Sequence, residues 1–472
     1  MLFPTAVFTA FFLLFLGFWW TLPAKSPVLR SSTLLVANLL YYGWLDLRWS
    51  AFLLFLASLT WVGTYWIAQS NERQRKRRGW ITVCALLSGL VLFKYFPWLV
   101  SIQNELANSL QVTAWTMPEW AYPAGLSFFT FHALAIVVGV WHKRIAPPKW
   151  LFTAVHISFF PTLMAGPVLR PDSIAPRLQQ PFVWHDVHWM EGCARFLVGM
   201  TFKWVLATKA ASWADPVFQG TVDGRASTWW GVHAYAFQIF FDFAGYSLMA
   251  IGIALLLGFR LPENFTSPYT ANSLKSFWQR WHRSLSFFFR DHLYIDAFGG
   301  NTKGTKIAAL SAFATMVVSG LWHGASLMFL IWGVWHGAGL VIERYIPRRE
   351  TWAKPIAWLV TFEFCTWGWI WFRADTWDTA VTLWRQAWSW NVQSTQPFLF
   401  DGSTLAWGIA MAFTIFTEPK WLSHLLVYAD RWDTKRLSIK EQTINICILS
   451  TWACLLMVFG PEGVPNFIYN GF

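Results

Sequence analysis

The sequence predicts an all-α, polytopic transmembrane helical bundle, and three observations carry that expectation. Hydrophobic residues make up 56% of the 472 positions and charged residues only 13%, with a mean hydropathy of +0.38. A water-facing surface needs about 25% charged residues, so most of this exterior must face something apolar. The 36 Trp and 43 Phe agree, because Trp concentrates where hydrocarbon meets headgroups. Apolar stretches also recur along the chain at lengths near the roughly 20 residues that cross about 30 Å of hydrocarbon.

Candidate spans lie near 5–22, 32–46, 50–69, 80–100, 121–141, 150–166, 194–212, 229–259, 307–342, 354–373, 402–417 and 443–460. The first, from Thr5 to Trp20, has no preceding Lys or Arg and no small-residue cleavage site. It reads as a retained span rather than a removed signal peptide. The stretches 229–259 and 307–342 are too long for one crossing, so each should conceal a break or two helices, and several others are short. The expected total is about 11 spans. The segment 150–166 contains Pro161 and Gly166, which suits a re-entrant element. No internal repeat is visible, so residues 1–472 read as one domain, with a polar interfacial segment at 260–306.

Orientation follows from Arg73, Arg75, Lys76, Arg77 and Arg78, five cations in six residues after the third span. Such a run stays cytoplasmic. Counting back puts Lys25 and Arg30 inside and the N-terminus outside, in the periplasm of a bacterial cell. Counting forward puts Lys143, Arg144 and Lys149 inside as well.

Charge and cysteine usage exclude other classes. The net charge is +12, but the cations sit between apolar stretches, and no compact basic domain exists to neutralise the phosphates of a nucleic acid. Cys84, Cys193, Cys365, Cys447 and Cys454 form no CxxC pair, which points to inert buried thiols rather than a disulfide framework or a zinc site. His185 and His188, in WHDVHW, have no Cys/His pair at ligand spacing nearby, so no metal is expected. The chain also lacks GxSxG and a P-loop, leaving the usual hydrolase and nucleotide chemistries without support.

Three places could carry chemistry. From Ser273 to Arg290, Leu274, Phe277, Trp278, Trp281, Leu285 and Phe288 recur at helical spacing and predict one amphipathic helix, lying in the interface or packed against the bundle with a polar groove beside it. Lys275, Gln279, His282, Ser286 and Arg290 fall on its opposite, polar face. From Leu321 to Gly339, two Trp-His-Gly-Ala copies place His323 and His336 in a segment apolar enough for membrane depth. Ionisable groups there face a cavity or a partner. In an unbroken helix their 13-residue separation is about 1300°, so the rings would point to different sides. Asp242, inside a long apolar run, needs a cationic partner, at a cost of about 2.5–3.5 kcal/mol without one.

FWQRWHRSLSFFFRDHLYI (277–295) followed by SGLWHGASLMFLIWGVWHG (319–337) resembles the paired signature of the membrane-bound O-acyltransferase family. The likeness is strongest to its bacterial branch acting on envelope polysaccharides such as alginate, with peptidoglycan acetylation a second acceptor class. Further matching segments are PAGLSFFTFHAL (123–134), FFPTLMAGPVLRP (159–171), FDFAGYSLMAIGIALLLGFRLPENF (241–265) and WIWFRA (369–374).

The resemblance implies helices ringed around a thin centre, with a funnel leading to an essential histidine. It places that histidine at His323 and a second functional one at His282, where the ring would orient the donor or hydrogen-bond an oxyanion. Trp322, Trp281, Arg280, Arg290, Asp291, Asp242 and His336 would support them. It implies acetyl-CoA as acyl donor on the cytoplasmic side of a bacterial inner membrane, a polysaccharide acceptor, and a periplasmic partner transferase of hydrolase-like type. The chain departs from the family pattern at Ala244, Leu248 and Gly139, where relatives often carry Ser, Asp and Asp. The competing class is a proton-coupled transporter or flippase, with the histidines as proton relays.

Overall fold

A computed structural model describes residues 5–113, 122–184, 187–346, 354–389, 401–434 and 438–460, together with Phe3 and Trp115. Helices are the only regular elements among these residues. His185 falls outside them.

The chain forms two compact units. The first comprises 1–188 and 253–262. It holds α1 (Ala6–Thr21), α2 (Pro27–Gly43), α3 (Leu47–Ala68), α4 (Glu72–Leu90), α5 (Phe96–Ser109), α6 (Leu126–Trp141), α7 (Trp150–Ser158), α8 (Phe160–Leu163) and α9 (Pro171–Gln179). A π-turn at Val91–Tyr95 joins α4 to α5, so one apolar rod runs from Glu72 to Ser109. Side chains start α3 and α4: Asp46 accepts from the Arg48 amide at 2.9 Å and Asn71 from the Gln74 amide at 2.9 Å, satisfying orphan first-turn donors. The segment 150–166 breaks at Phe159 into α7 and α8, and its residues from Thr153 on are buried, packed against α2, α3 and α6.

Two cations of the expected inner loops have structural duties as well. Arg30 is buried and donates to the carbonyls of Leu22 at 2.7 Å, Pro23 at 3.2 Å and Trp19 at 3.3 Å, closing the C-terminal end of α1. Arg75 donates to Val140 O at the end of α6 at 3.1 Å. Both are cations at helix C-termini, where the dipole favours them.

The second unit comprises 189–252 and 263–472. Its helices are α10 (Trp189–Met200), α11 (Thr208–Phe218), α12 (Arg225–Leu256), α13 (Leu274–Trp278), α14 (Arg283–Phe289), α15 (Thr305–His323), α16 (Leu327–Tyr345), α17 (Lys354–Arg373), α18 (Trp377–Trp388), α19 (Gly402–Thr434) and α20 (Ile439–Phe459); the last turn of α12 belongs to the first unit. Here the structure corrects one expectation: 229–259 hides neither a break nor two helices. α12 is a single 32-residue helix, buried along its apolar length. Enclosed by protein, its ends need not match a hydrocarbon thickness. The stretch 307–342 does divide, into α15 and α16.

Glycines let these helices touch. A Cβ on Gly199 of α10 would lie 2.5 Å from Gly245 O of α12, and one on Gly252 would lie 2.5 Å from Gly192 O, so two glycine pairs a heptad apart bring the backbones together. The outer helices behave oppositely. Leu405, Ile409 and Phe413 on α19 and Ile444, Ile448 and Leu455 on α20 are exposed, as lipid-facing apolar surfaces are. By length and composition, five of the described helices can cross a membrane: Leu47–Ala68, Glu72–Ser109, Arg225–Leu256, Thr305–His323 and Lys440–Val458. The cysteines are all free, and only Cys365 is fully buried; Cys84, Cys447 and Cys454 are exposed on spanning helices, contrary to the expected burial.

Candidate active site

The site is built within the second unit, from the loop after α12 to α17. The expected continuous helix from Ser273 to Arg290 is absent: α13 stops at Trp278, and α14 starts at Arg283. Between them His282 takes a left-handed backbone conformation, φ 42°, uncommon for a side-chain-bearing residue and maintained only where surroundings enforce it. The enforcing element is the loop 264–266. Arg283 N donates to Asn264 O at 2.8 Å, and Thr266 N donates to Arg280 O at 3.1 Å. The kink turns His282 inward. It is buried rather than on a polar face, its ring 4.6 Å from Phe243 and its Nδ1 3.1 Å from Asn264 Oδ1.

His323 is the last residue of α15. Gly324 is extended, and Ser326 opens α16 by accepting from the Phe329 amide at 3.4 Å. The two helices form a close hairpin: a Cβ on Gly320 would lie 2.3 Å from Phe329 O, and one on Gly333 would lie 2.6 Å from Met316 O. The chain reverses between the two histidines, so the angular separation expected of an unbroken helix does not apply. Instead both rings flank one indole, with His323 and His336 each 4.9 Å from Trp332.

An aromatic cage joins these groups. Trp322 lies 4.7 Å from His323 and 6.4 Å from His282, with Phe372 5.0 Å from His323. Trp281 packs 4.9 Å from Trp369 and 5.2 Å from Phe265. His336 is seated among Trp278, Phe364 and Trp369. Of the three rings His323 is the least enclosed, at 4% exposure against 1% for His282 and 0% for His336.

The other expected residues divide. Asp242 has the cationic partner it needs: it pairs with Lys203, both buried, Lys203 lying in the π-helical segment Thr201–Ala207 after α10. Arg280 donates to Thr270 Oγ1 at 2.8 Å, bracing the loop rather than the cage. Arg290 and Asp291 pair with each other at 2.7 Å, and Arg290 is exposed over Phe287. Ala244 and Leu248 line a cavity of about 20 Å³ with Ser247, Asn264, Glu263 and Glu418, room for roughly one water. Asn264 and Trp332 were not singled out from the sequence. Trp332 stands four residues before His336, a helical-neighbour spacing that could have revealed it; Asn264 meets His282 only through loop packing.

Together these features define a polytopic membrane protein with a histidine centre caged by aromatic side chains. Its sequence places it further: the model of the membrane-bound O-acyltransferase family matches residues 99–371. The chain belongs to that family and is an acyltransferase. It is 35% identical over 409 residues to a probable alginate O-acetylase of Pseudomonas aeruginosa, covering 83% of this chain and 75% of the relative. It is 30% identical over 397 residues to a peptidoglycan O-acetyltransferase of Helicobacter pylori, covering 76% and 74%. A teichoic acid D-alanyltransferase of Bacillus subtilis is 25% identical over 260 residues, 51% of this chain and 63% of that one.

Proposed function

We propose that this protein moves acetyl groups from cytoplasmic acetyl-CoA across the bacterial inner membrane, for O-acetylation of an envelope polysaccharide of the alginate or peptidoglycan class. A periplasmic hydrolase-like transferase is its partner, and its own hydroxyl is the first acceptor or relays the group to the polymer. The observation that supports this reading most is the placement of His323 and His282 at 4.7 and 6.4 Å from Trp322, at the end of a helix able to cross the membrane.

In the proposed step the neutral His323 ring takes the proton of the acceptor hydroxyl as its oxygen attacks the thioester carbonyl. A C–O bond forms, the C–S bond breaks, and the proton passes to the departing thiolate. General-base assistance of this kind contributes about 10²–10⁴ in rate, and imidazole, with an unperturbed pKa near 6.5, suits it. The cage of Trp322, Trp332 and Phe372 keeps bulk water from competing as acceptor. Asp242, paired with Lys203, holds α12 in place rather than touching substrate.

The test is genetic and chemical. His323→Ala should insert and accumulate in the membrane like the unsubstituted protein while polymer acetylation is lost. Normal polymer acetyl content in that variant would refute the assignment.

A further inference from the structure

The hydrogen bonds around Asn264 fix which nitrogen of His282 carries a proton. Asn264 Oδ1 receives the Ser284 amide at 3.3 Å, the Ser284 hydroxyl at 2.8 Å and contacts His282 Nδ1 at 3.1 Å. A backbone N–H can only donate, so the atom facing Ser284 and His282 is the amide oxygen. The side-chain nitrogen points the other way, donating to Ser247 Oγ at 3.0 Å. An oxygen facing Nδ1 can only accept, so Nδ1 carries a proton in either charge state of the ring. Nε2 is then the one nitrogen able to accept.

From this geometry we infer that Asn264 is a positioning residue that holds His282 as its Nδ1–H tautomer, so that His282 takes a hydrogen bond from a substrate N–H or O–H. The ring is set among Phe243, Phe265 and Trp322, an apolar surrounding that favours its neutral form. A neutral Nδ1–H ring has no hydrogen on Nε2 and cannot donate to an oxyanion. The oxyanion role expected for His282 from the resemblance is thereby replaced by an accepting one. The same contacts explain the left-handed backbone at His282: the Arg283 amide on Asn264 O and the Ser284 amide on Asn264 Oδ1 lock both residues that follow it.

This inference rests on the acetyl-transfer reading, and the experiment separates the two. Labelled acetyl-CoA is supplied to purified protein with its acceptor, and turnover and KM for the donor are measured for the unsubstituted chain, Asn264→Ala, Asn264→Asp and His282→Ala. Aspartate keeps an oxygen for Nδ1–H but loses the donor to Ser247, so it should retain turnover within about three-fold, as an accepting group that orients a catalytic imidazole does. Alanine frees the tautomer and should lower turnover by about 10²-fold, the scale of a positioned proton-transfer partner, with KM little changed. Turnover of Asn264→Ala equal to the unsubstituted chain would overturn the inference. So would Asn264→Asp as impaired as His282→Ala, because the amide would then serve only as a scaffold; this second outcome is readable even if Asn264→Ala fails to fold. No transfer by the unsubstituted chain would overturn the acetyl-transfer reading itself.

Discussion

At the scale of single residues, the candidate site was half legible in the sequence. Histidines in apolar surroundings announce themselves, because burying an ionisable group is costly without a purpose or a partner, and His323, His282 and His336 all lie in the aromatic cage. What periodicity misplaced was the direction of His282. Its helical position predicted a wet face, but hydrogen bonds to a loop 18 residues earlier break the helix there, and no local pattern encodes such a contact. Asp242 illustrates the reverse: the demand for a cation could be read, while its supplier, Lys203, could not. That pair yields a prediction. Lys203→Met should strand a buried carboxylate and destabilise the protein by about 3–5 kcal/mol, whereas adding Asp242→Leu should recover much of the loss. Thermal unfolding in detergent checks it; a single variant no less stable than the double would contradict the pairing argument.

At the scale of elements, most helices lie where apolar length placed them, since hydrocarbon thickness and backbone satisfaction leave few alternatives. The exceptions are informative. Length could not decide between a break and one enclosed helix for α12, because the rule presumes a lipid-facing element. For 307–342 the Gly-Ala-Ser after His323 supplies the break: extended Gly324 ends α15 and Ser326 caps α16. Close packing makes the hairpin sensitive. Gly333→Leu would drive a side chain into the carbonyl of Met316, whose oxygen lies 2.6 Å from where the new Cβ would sit, and should separate His323 from Trp332. Loss of acetylation together with a lowered unfolding temperature is the expected outcome. An active, equally stable Gly333→Leu protein would show that the hairpin does not position His323.

At the scale of the whole molecule, composition alone sufficed to place the chain in a membrane, and the pair of histidine motifs sufficed for its family. Acceptor chemistry is less legible, because relatives of comparable similarity act, by their names, on alginate and on peptidoglycan. Orientation is a further proposal at this scale. The Arg73–Arg78 run should be cytoplasmic and the N-terminus periplasmic, so cysteines introduced beside Arg77 should resist a membrane-impermeant thiol reagent in intact cells, in a background whose five native cysteines are replaced. Rapid labelling there would invert the topology and the proposed direction of acetyl movement.

In the proposed mechanism His323 is the base of a transfer between two compartments. The most direct measurement supplies labelled acetyl-CoA to one face of vesicles holding the purified protein and the acceptor to the other. The unsubstituted chain should label the acceptor without carrying intact donor across, and His323→Ala should lower that rate by at least about 10²-fold. Transfer by His323→Ala at the unsubstituted rate, or passage of intact acetyl-CoA in place of acyl transfer, would contradict it.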